Sequence, residues 1–370
     1  MQPRPHNWRP AKTTIAALLL ALLQLLPATG PAWGEAIDYG RPGTGRRIVA
    51  IGDIHGAYNG MREILRRVGI IDQKDRWVGG DSILVQTGDF LDRGPGATKV
   101  AELLMDLQQQ APKQGGEAII LLGNHEILNL LGDLRDVTKY ILRNFVDGHS
   151  EKRLTVSCND YAAFHRRLHE VRREKSPKRR DLIDRCFTEH PLGLVEYLEE
   201  MSPSGKIGRW MRRLPVVAQV DGIVFVHGGI SPELSGTRLN EINREVRREI
   251  KSFDAAKQHL VDRGFILPTA SLGDVVQTVR ALAGVNDKNN GKGNRKAAKN
   301  LSPELAHVLE LPEWLTVSED GPLWFRGYAR WSEEEGREQI GPILERMQAG
   351  HVVVGHTPQA PFKIRPRFDS

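Results

Sequence analysis

The chain reads as an α/β protein built on a mostly parallel sheet, and three observations predict it. Short apolar runs alternate with amphipathic helical segments from Arg46 onward. Each run ends in a cluster of glycine and polar residues. The 370 residues, 40% apolar and 26% charged, fit a folded chain with room for one large domain or two small ones.

The elements follow in order. "RRIVAIGDIHG" is an apolar strand that ends in a polar loop. "YNGMREILRRVGI" sets Met61, Ile64, Leu65 and Val68 at helical spacing. "DSILVQTGDFLDRG" is a second strand, "ATKVAELLMDLQQQ" a second amphipathic helix and "EAIILLGNHE" a third strand. Strands alternating with helices imply a parallel sheet, whose sites form at the carboxyl ends of the strands.

Residues from about 127 to 214 depart from this pattern as a helical insert rich in basic residues. Its densest part, "HRRLHEVRREKSPKRRD", is expected to be a solvated helix face with a turn at Pro177. The alternative is a surface for an anionic partner. Strand signals return in "LPVVAQVDGIVFVHGGISPEL". A second, irregular insert is expected over about 235–321, with "VNDKNNGKGNRKAAKN" as a flexible basic loop. "GHVVVGHTPQAP" is the last strand, and no internal repeat is present.

Residues 1–34 read as a signal peptide. "MQPRPHNWRPAK" is basic, "TTIAALLLALLQLLPATG" is apolar, and "PATGPAWGEA" offers small residues for cleavage. The apolar core is short for a membrane span, which needs about 20 residues. The expectation is a secreted or periplasmic protein with no stable membrane partner, unless this segment stays as an anchor. Cys158 and Cys186 would then sit in an oxidising compartment and could pair. The formal charge is +6, three of it from Arg4, Arg9 and Lys12, which does not argue for nucleic acid.

The chemistry lies in five clusters: "GDIHG", "GDFLDRG", "GNHE", "VHGG" and "VGHTP". They supply Asp53, His55, Asp89, Asp92, Arg93, Asn124, His125, His227 and His356. Carboxylate, imidazole and amide oxygen suit a divalent transition metal, and without thiolates a cysteine-type zinc site is excluded. Asp53 and His55, two apart, could chelate one ion on a common side. His227 and His356 could hold a second, Asp89 could bridge the two, and Asn124 could complete the second site. Two such ions acidify a shared water and brace an in-line displacement at phosphorus. His125, diverging from Asn124, would act as general acid, oriented by Asp92. Arg93 offers a planar fork that matches phosphate. His149, His165, His169, His190 and His259 have no strand-end setting and are read as structural.

These clusters, in this order, resemble the phosphoprotein phosphatases among the calcineurin-like metallophosphoesterases, whose pattern is GDxHG, GDxxDRG, GNHE, HGG and a late GH. The resemblance implies a four-layer αββα sandwich of two mixed sheets with helical inserts, so that residues 46–370 form one catalytic domain. It implies two divalent ions (manganese, iron or zinc, with manganese expected in vitro). The implied ligands are Asp53, His55, bridging Asp89, Asn124, His227 and His356, with His125 and Asp92 as the acid pair and Arg93 on the phosphate. A second phosphate-binding arginine is Arg326 or Arg330 of "GPLWFRGYAR", with Arg326 favoured. The 102 residues from His125 to His227, the helical insert and "GPLW" resemble the Shewanella-like branch, some of whose enzymes favour phosphotyrosine. The implied activity is hydrolysis of phosphomonoesters, on phosphotyrosine or phosphoserine/threonine in proteins, by direct attack of a metal-bound hydroxide. The alternatives are a small-molecule phosphoesterase acting on nucleotides or dinucleoside polyphosphates, and an inactive hydrolase scaffold that binds an anionic partner.

Overall fold

A computed structural model describes residues 38–39, 45–285, 301–359 and 366–368. The expected signal segment and the basic loop over 286–300 lie outside the described residues. A two-residue strand, β1 (Asp38–Tyr39), precedes the alternating half of the chain. There β2 (Ile48–Ile51), α1 (Tyr58–Arg67), β3 (Ile83–Gln86), α2 (Ala97–Gln110) and β4 (Glu117–Ile120) follow the expected order. β3 is central and pairs in parallel with β2 and β4. Its four residues are all buried, which is why "ILVQ" reads as a continuous run and not an alternation.

Strand periodicity then assigns the two faces. Leu84 points with Ile120 and Leu122 into the main core, beside Leu65 of α1 and Val100, Leu104 and Leu107 of α2. Ile83, Val85, Ile119 and Leu121 point the other way.

The helical insert follows as α3 (Asn124–Leu131), α4 (Lys139–Leu142), α5 (Ser150–Val171), α6 (Arg179–Glu189), α7 (Leu194–Met201) and α8 (Lys206–Met211). The basic run over 165–181 is mostly exposed, the solvated face its composition predicts. α5 and α6 carry Cys158 and Cys186, both fully buried and joined as a disulfide with Cα atoms 5.5 Å apart. Among the described residues they share a satellite core with Leu154 and the partly buried Tyr161 and Leu192.

β5 (Val217–Val220) and β6 (Ile223–Val226) form a hairpin. Its two turn residues, Asp221 and Gly222, both have positive φ, 49° and 78°, as a two-residue "DG" hairpin requires. Ala218, Val220 and Phe225 meet Ile83, Val85, Ile119 and Leu121 face to face, so the two sheets form a sandwich.

Among its described residues, the segment expected to be irregular, 235–321, is instead largely helical. α9 (Leu239–Asp262) spans 24 residues and α10 (Leu272–Leu282) eleven, with α11 (Pro303–Val308) beyond. Ile242, Val246, Ile250, Phe253 and Leu260 form the buried stripe of α9. The spacing is helical, but dense charge on the other face masks it. Then α12 (Gly327–Arg330) and α13 (Glu333–Met347) lead to β7 (His351–Val353), which lies parallel beside β6. The second sheet has the order β1-β5-β6-β7 and is mixed, whereas β2-β3-β4 is wholly parallel among the described residues, not mixed as expected. No helix among the described residues is long and apolar enough to cross a membrane.

The disulfide closes a separation of 28 residues across a small core. Loop-closure entropy puts its contribution at about 3–4 kcal/mol. Calorimetry of the Cys158→Ser, Cys186→Ser double variant should therefore show a lower thermal midpoint than the parent. An unchanged midpoint would mean that the bond leaves the unfolded chain unconstrained.

Candidate metal centre

Five strands end at one place. Asp53 and His55 follow β2, Asp89, Asp92 and Arg93 follow β3, Asn124 and His125 open α3 after β4, His227 follows β6 and His356 follows β7. The turns are tight. His55, Asp89, Asp92, Arg93 and His356 all have φ between 45° and 65°, a region side chains disfavour. Each such residue costs on the order of 1 kcal/mol or more unless its surroundings hold it.

Glu126 does much of that holding. Its buried carboxylate accepts N–H bonds from Asp89 (2.8 Å), Leu91 (2.9 Å) and Gly123 (2.8 Å). It thereby ties the loop after β3 to the first turn of α3. Burial and the nearby Asp89 push its carboxyl up to about 7. The loops are in close contact. A Cβ on Gly88 would lie 2.5 Å from the Gly123 nitrogen, and one on Gly123 would collide with the Asp89 carboxylate.

Asp89 Oδ2 is the centre of the constellation. It lies 3.2 Å from His227 Nε2, 3.6 Å from His55 Nε2 and 3.9 Å from His125 Nε2. His227 Nδ1 donates to the Thr87 carbonyl (2.9 Å). Its Nε2 therefore faces Asn124 Oδ1 (2.9 Å), His356 Nδ1 (3.1 Å) and Asp89 Oδ2 together. One proton on Nε2 satisfies only one of these acceptors, whereas a cation among them satisfies all. His356 Nε2 is buried without a hydrogen-bond partner. Burial, with His227 and Arg326 nearby, pushes His356 down to about 3, so that ring is neutral and its lone pair is available.

The remaining ionisations point the same way. Burial opposes charge on Asp89, but His227 and His125 hold its carboxyl well below the usual range. Burial lowers His227, and Asp89 more than reverses this. The site thus draws positive charge. On the other side His55 is lowered, chiefly by burial, with its Nδ1 3.1 Å from the Leu91 carbonyl. His55, Asp89 and His125 form one group of close donor atoms, and Asp89, His227 and His356 a second. The residues fit two cations that share Asp89.

Asp53 also reaches toward the second group. Its Oδ1 accepts the His356 N–H (3.1 Å) and lies 3.9 Å from His227 Nδ1. Both Asp53 and His55 lie beyond the last residue of β2, where strand alternation no longer fixes direction, and His55 has turned into the left-handed region.

Beside the cations' place stands the acid pair. His125 Nδ1 donates to Asp92 Oδ2 at 2.8 Å. Burial lowers His125, but the Asp92 bond and the carboxylates around it raise it overall. Arg93 Nη2 donates to His125 Nε2 at 3.1 Å. Arg326 is anchored by Thr357 Oγ1 (2.9 Å), and Asp89 and Asp53 act on its charge. The loop before it is held by Glu249 of α9, which accepts from Leu315 N (2.7 Å) and Thr316 N (3.0 Å). Pro322 in turn accepts from Gly228 N and Gly229 N beside His227. Glu126, Asn129, Tyr197 and Glu249 have no role in the sequence reading. Position 126 carries a signal, an acid three residues past the glycine that opens the helix, and Asn129 a second, its place one helical turn after His125.

Glu126→Gln should destabilise the fold by about 2–3 kcal/mol, because a buried amide NH2 must then face one of three N–H donors. Thermal melts of the two proteins would measure it. Equal midpoints would mean the loops do not depend on this carboxylate.

Known proteins place this geometry. A family model described as calcineurin-like phosphoesterase matches residues 46–360. Shewanella-like protein phosphatase 2 of Arabidopsis thaliana is 35% identical over 216 residues, 57% of this chain and 53% of that protein. Shewanella-like protein phosphatase 1 of Plasmodium berghei is 29% identical over 321 residues, 86% of this chain and 63% of that protein. The chain thus spans between half and two thirds of the length of these relatives. The cold-active protein-tyrosine phosphatase of a psychrophilic Shewanella species has the same fold, with TM-score 0.52 and 22% identity over 89% of this chain and 71% of that one. The chain belongs to the calcineurin-like phosphoesterase family.

Proposed function

We propose that the protein is a phosphoprotein phosphatase that works with two divalent ions. The observation that carries this reading is two groups of close donor atoms that share Asp89, with Asp92 bonded to the His125 ring of the first. The names of the relatives support a phosphoprotein as substrate. His55 and Asp53 would complete one ion's ligands, and Asn124, His227 and His356 the other's. Nitrogen and oxygen donors without thiolate suit manganese, iron or zinc, and manganese is the ion to supply in vitro. When bound, the ions provide Lewis-acid charge that acidifies water and braces the phosphoryl oxygens.

The chain's own groups do the rest. Asp92 accepts a hydrogen bond from His125 Nδ1–H, which keeps that proton on Nδ1 and sets Nε2 toward the substrate. The carboxylates around the ring favour its imidazolium form, so Nε2 carries a proton as well. His125 then delivers a proton from Nε2 to the leaving oxygen. Arg93 holds Nε2 in the free protein, and a phosphoryl group would draw its fork away onto anionic oxygens. Arg326 would supply a second fork from the far side. We also propose export across a membrane. The N-terminal segment motivates this, and the Cys158–Cys186 bond, which persists in oxidising compartments, is consistent with it.

His125→Asn should keep two ions per chain and lower turnover about 10²- to 10⁴-fold on a phosphotyrosine peptide and on its phosphoserine twin. Steady-state kinetics with metal analysis would check this, and undiminished turnover would sink the reading. A chelator should abolish hydrolysis and added manganese restore it. Activity that persists in the stripped protein would remove the ions from the mechanism.

A further inference from the structure

The acid pair is the inner end of a longer chain of buried groups. Asp92 accepts from His125 Nδ1, and it also accepts from Asn129 Nδ2, at 2.9 Å to Oδ1 and 3.0 Å to Oδ2. The same Nδ2 donates to the His125 carbonyl at 2.8 Å. These acceptors fix which way round the Asn129 amide lies, because the flipped amide would set its oxygen against a carboxylate and a carbonyl. Asn129 Oδ1 then needs a donor of its own. The Tyr197 hydroxyl donates to it. Tyr197 comes from α7, 68 residues further along the chain and inside the helical insert. Its ring is buried and stands edge-on to Phe145 at 5.1 Å. Burial keeps the phenol protonated, with Asp92 and Glu126 adding to the effect, so it remains a donor.

We propose that Asn129 and Tyr197 are positioning residues for the general acid, through which the helical insert sets the orientation of His125. Tyr197 fixes the amide, the amide fixes the Asp92 carboxylate, and the carboxylate fixes the ring. Without the hydroxyl, Oδ1 is buried and unpaired, and the amide relaxes toward another partner. Asp92 is then free to pivot, and Nε2 no longer meets the leaving oxygen. Neither residue touches substrate or the cation sites.

This inference rests on the phosphatase reading, and its test separates the two. Proton donation matters in proportion to the basicity of the leaving oxygen. The Tyr197→Phe protein would be compared with the parent on phenyl phosphate, a poor leaving group, and on 2,4-dinitrophenyl phosphate, a good one. Expected is a kcat about tenfold lower on phenyl phosphate, with KM and the dinitrophenyl rate near those of the parent. In the His125→Asn background the same substitution should cause no further loss, because the two residues act as one unit. Asn129→Leu, similar in volume and unable to bridge, should give the same selective loss. Equal losses on both esters, a loss that persists without His125, or no loss in a Tyr197→Phe protein of parental thermal midpoint would each overturn the proposal and leave the phosphatase reading standing. A parent that hydrolyses neither ester, or that is indifferent to His125→Asn, would overturn that reading and this inference with it.

Discussion

The architecture depends on a carboxylate that meets no substrate. Glu126 gathers the backbone N–H groups of Asp89, Leu91 and Gly123, and so fixes two loops that each begin where a parallel strand stops. Those loops carry Asp89, Asp92, Arg93, Asn124 and His125. Three of the five are in the left-handed region. A side chain there is stable only if other bonds leave it no alternative. Glu126 supplies such bonds from inside the protein, where water does not compete for the donors. The strain at the strand ends and the burial of Glu126 are therefore two parts of one arrangement.

The same logic extends to the electrostatics. The site concentrates carboxylate and amide oxygens with imidazole lone pairs, and Asp89, Asn124, His125, His227 and His356 are buried. Such a set is unfavourable on its own. The attraction between His227 and Asp89, 3.2 Å apart, relieves part of it, which is why one group is raised and the other depressed. His356 faces the same centre but goes the opposite way, driven down first by burial and then by His227 and the cationic Arg326. A protein that buried these groups for stability alone would not leave His356 Nε2 without a partner.

Much of this was legible in the sequence, and the limits have physical causes. The βαβ order, the hairpin at Asp221–Gly222 and the convergence of five polar clusters follow from periodicity, turn chemistry and the geometry of parallel sheets. The direction of each side chain does not. His55 and Asp53 lie past the strand, where φ and not alternation decides which way each side chain points. α9 was read as irregular because charge on its exposed face outweighed a stripe that was present. Asn129 lies one helical turn after His125, and that spacing could have pointed to it. Tyr197 could not be found this way, because its partner is 68 residues distant and nothing local marks it.

That distance bears on what the insert is for. Lengthening a surface connection costs little conformational entropy, so an insert can be present without serving the site. This one does not behave as an appendage. α7 delivers a buried hydroxyl to the network behind His125, and Phe145 packs on the ring that carries it. Arg153 of α5 bonds Glu196, the residue before Tyr197, at 2.6 Å, and α5 is in turn fastened to α6 by the disulfide. A proton donor needs its orientation held to within a fraction of an ångström. The strand ends can fix the backbone of His125, but only groups behind the ring can fix its rotation. The insert occupies the position from which that constraint is applied, because the hydroxyl behind the Asn129 amide is its own Tyr197.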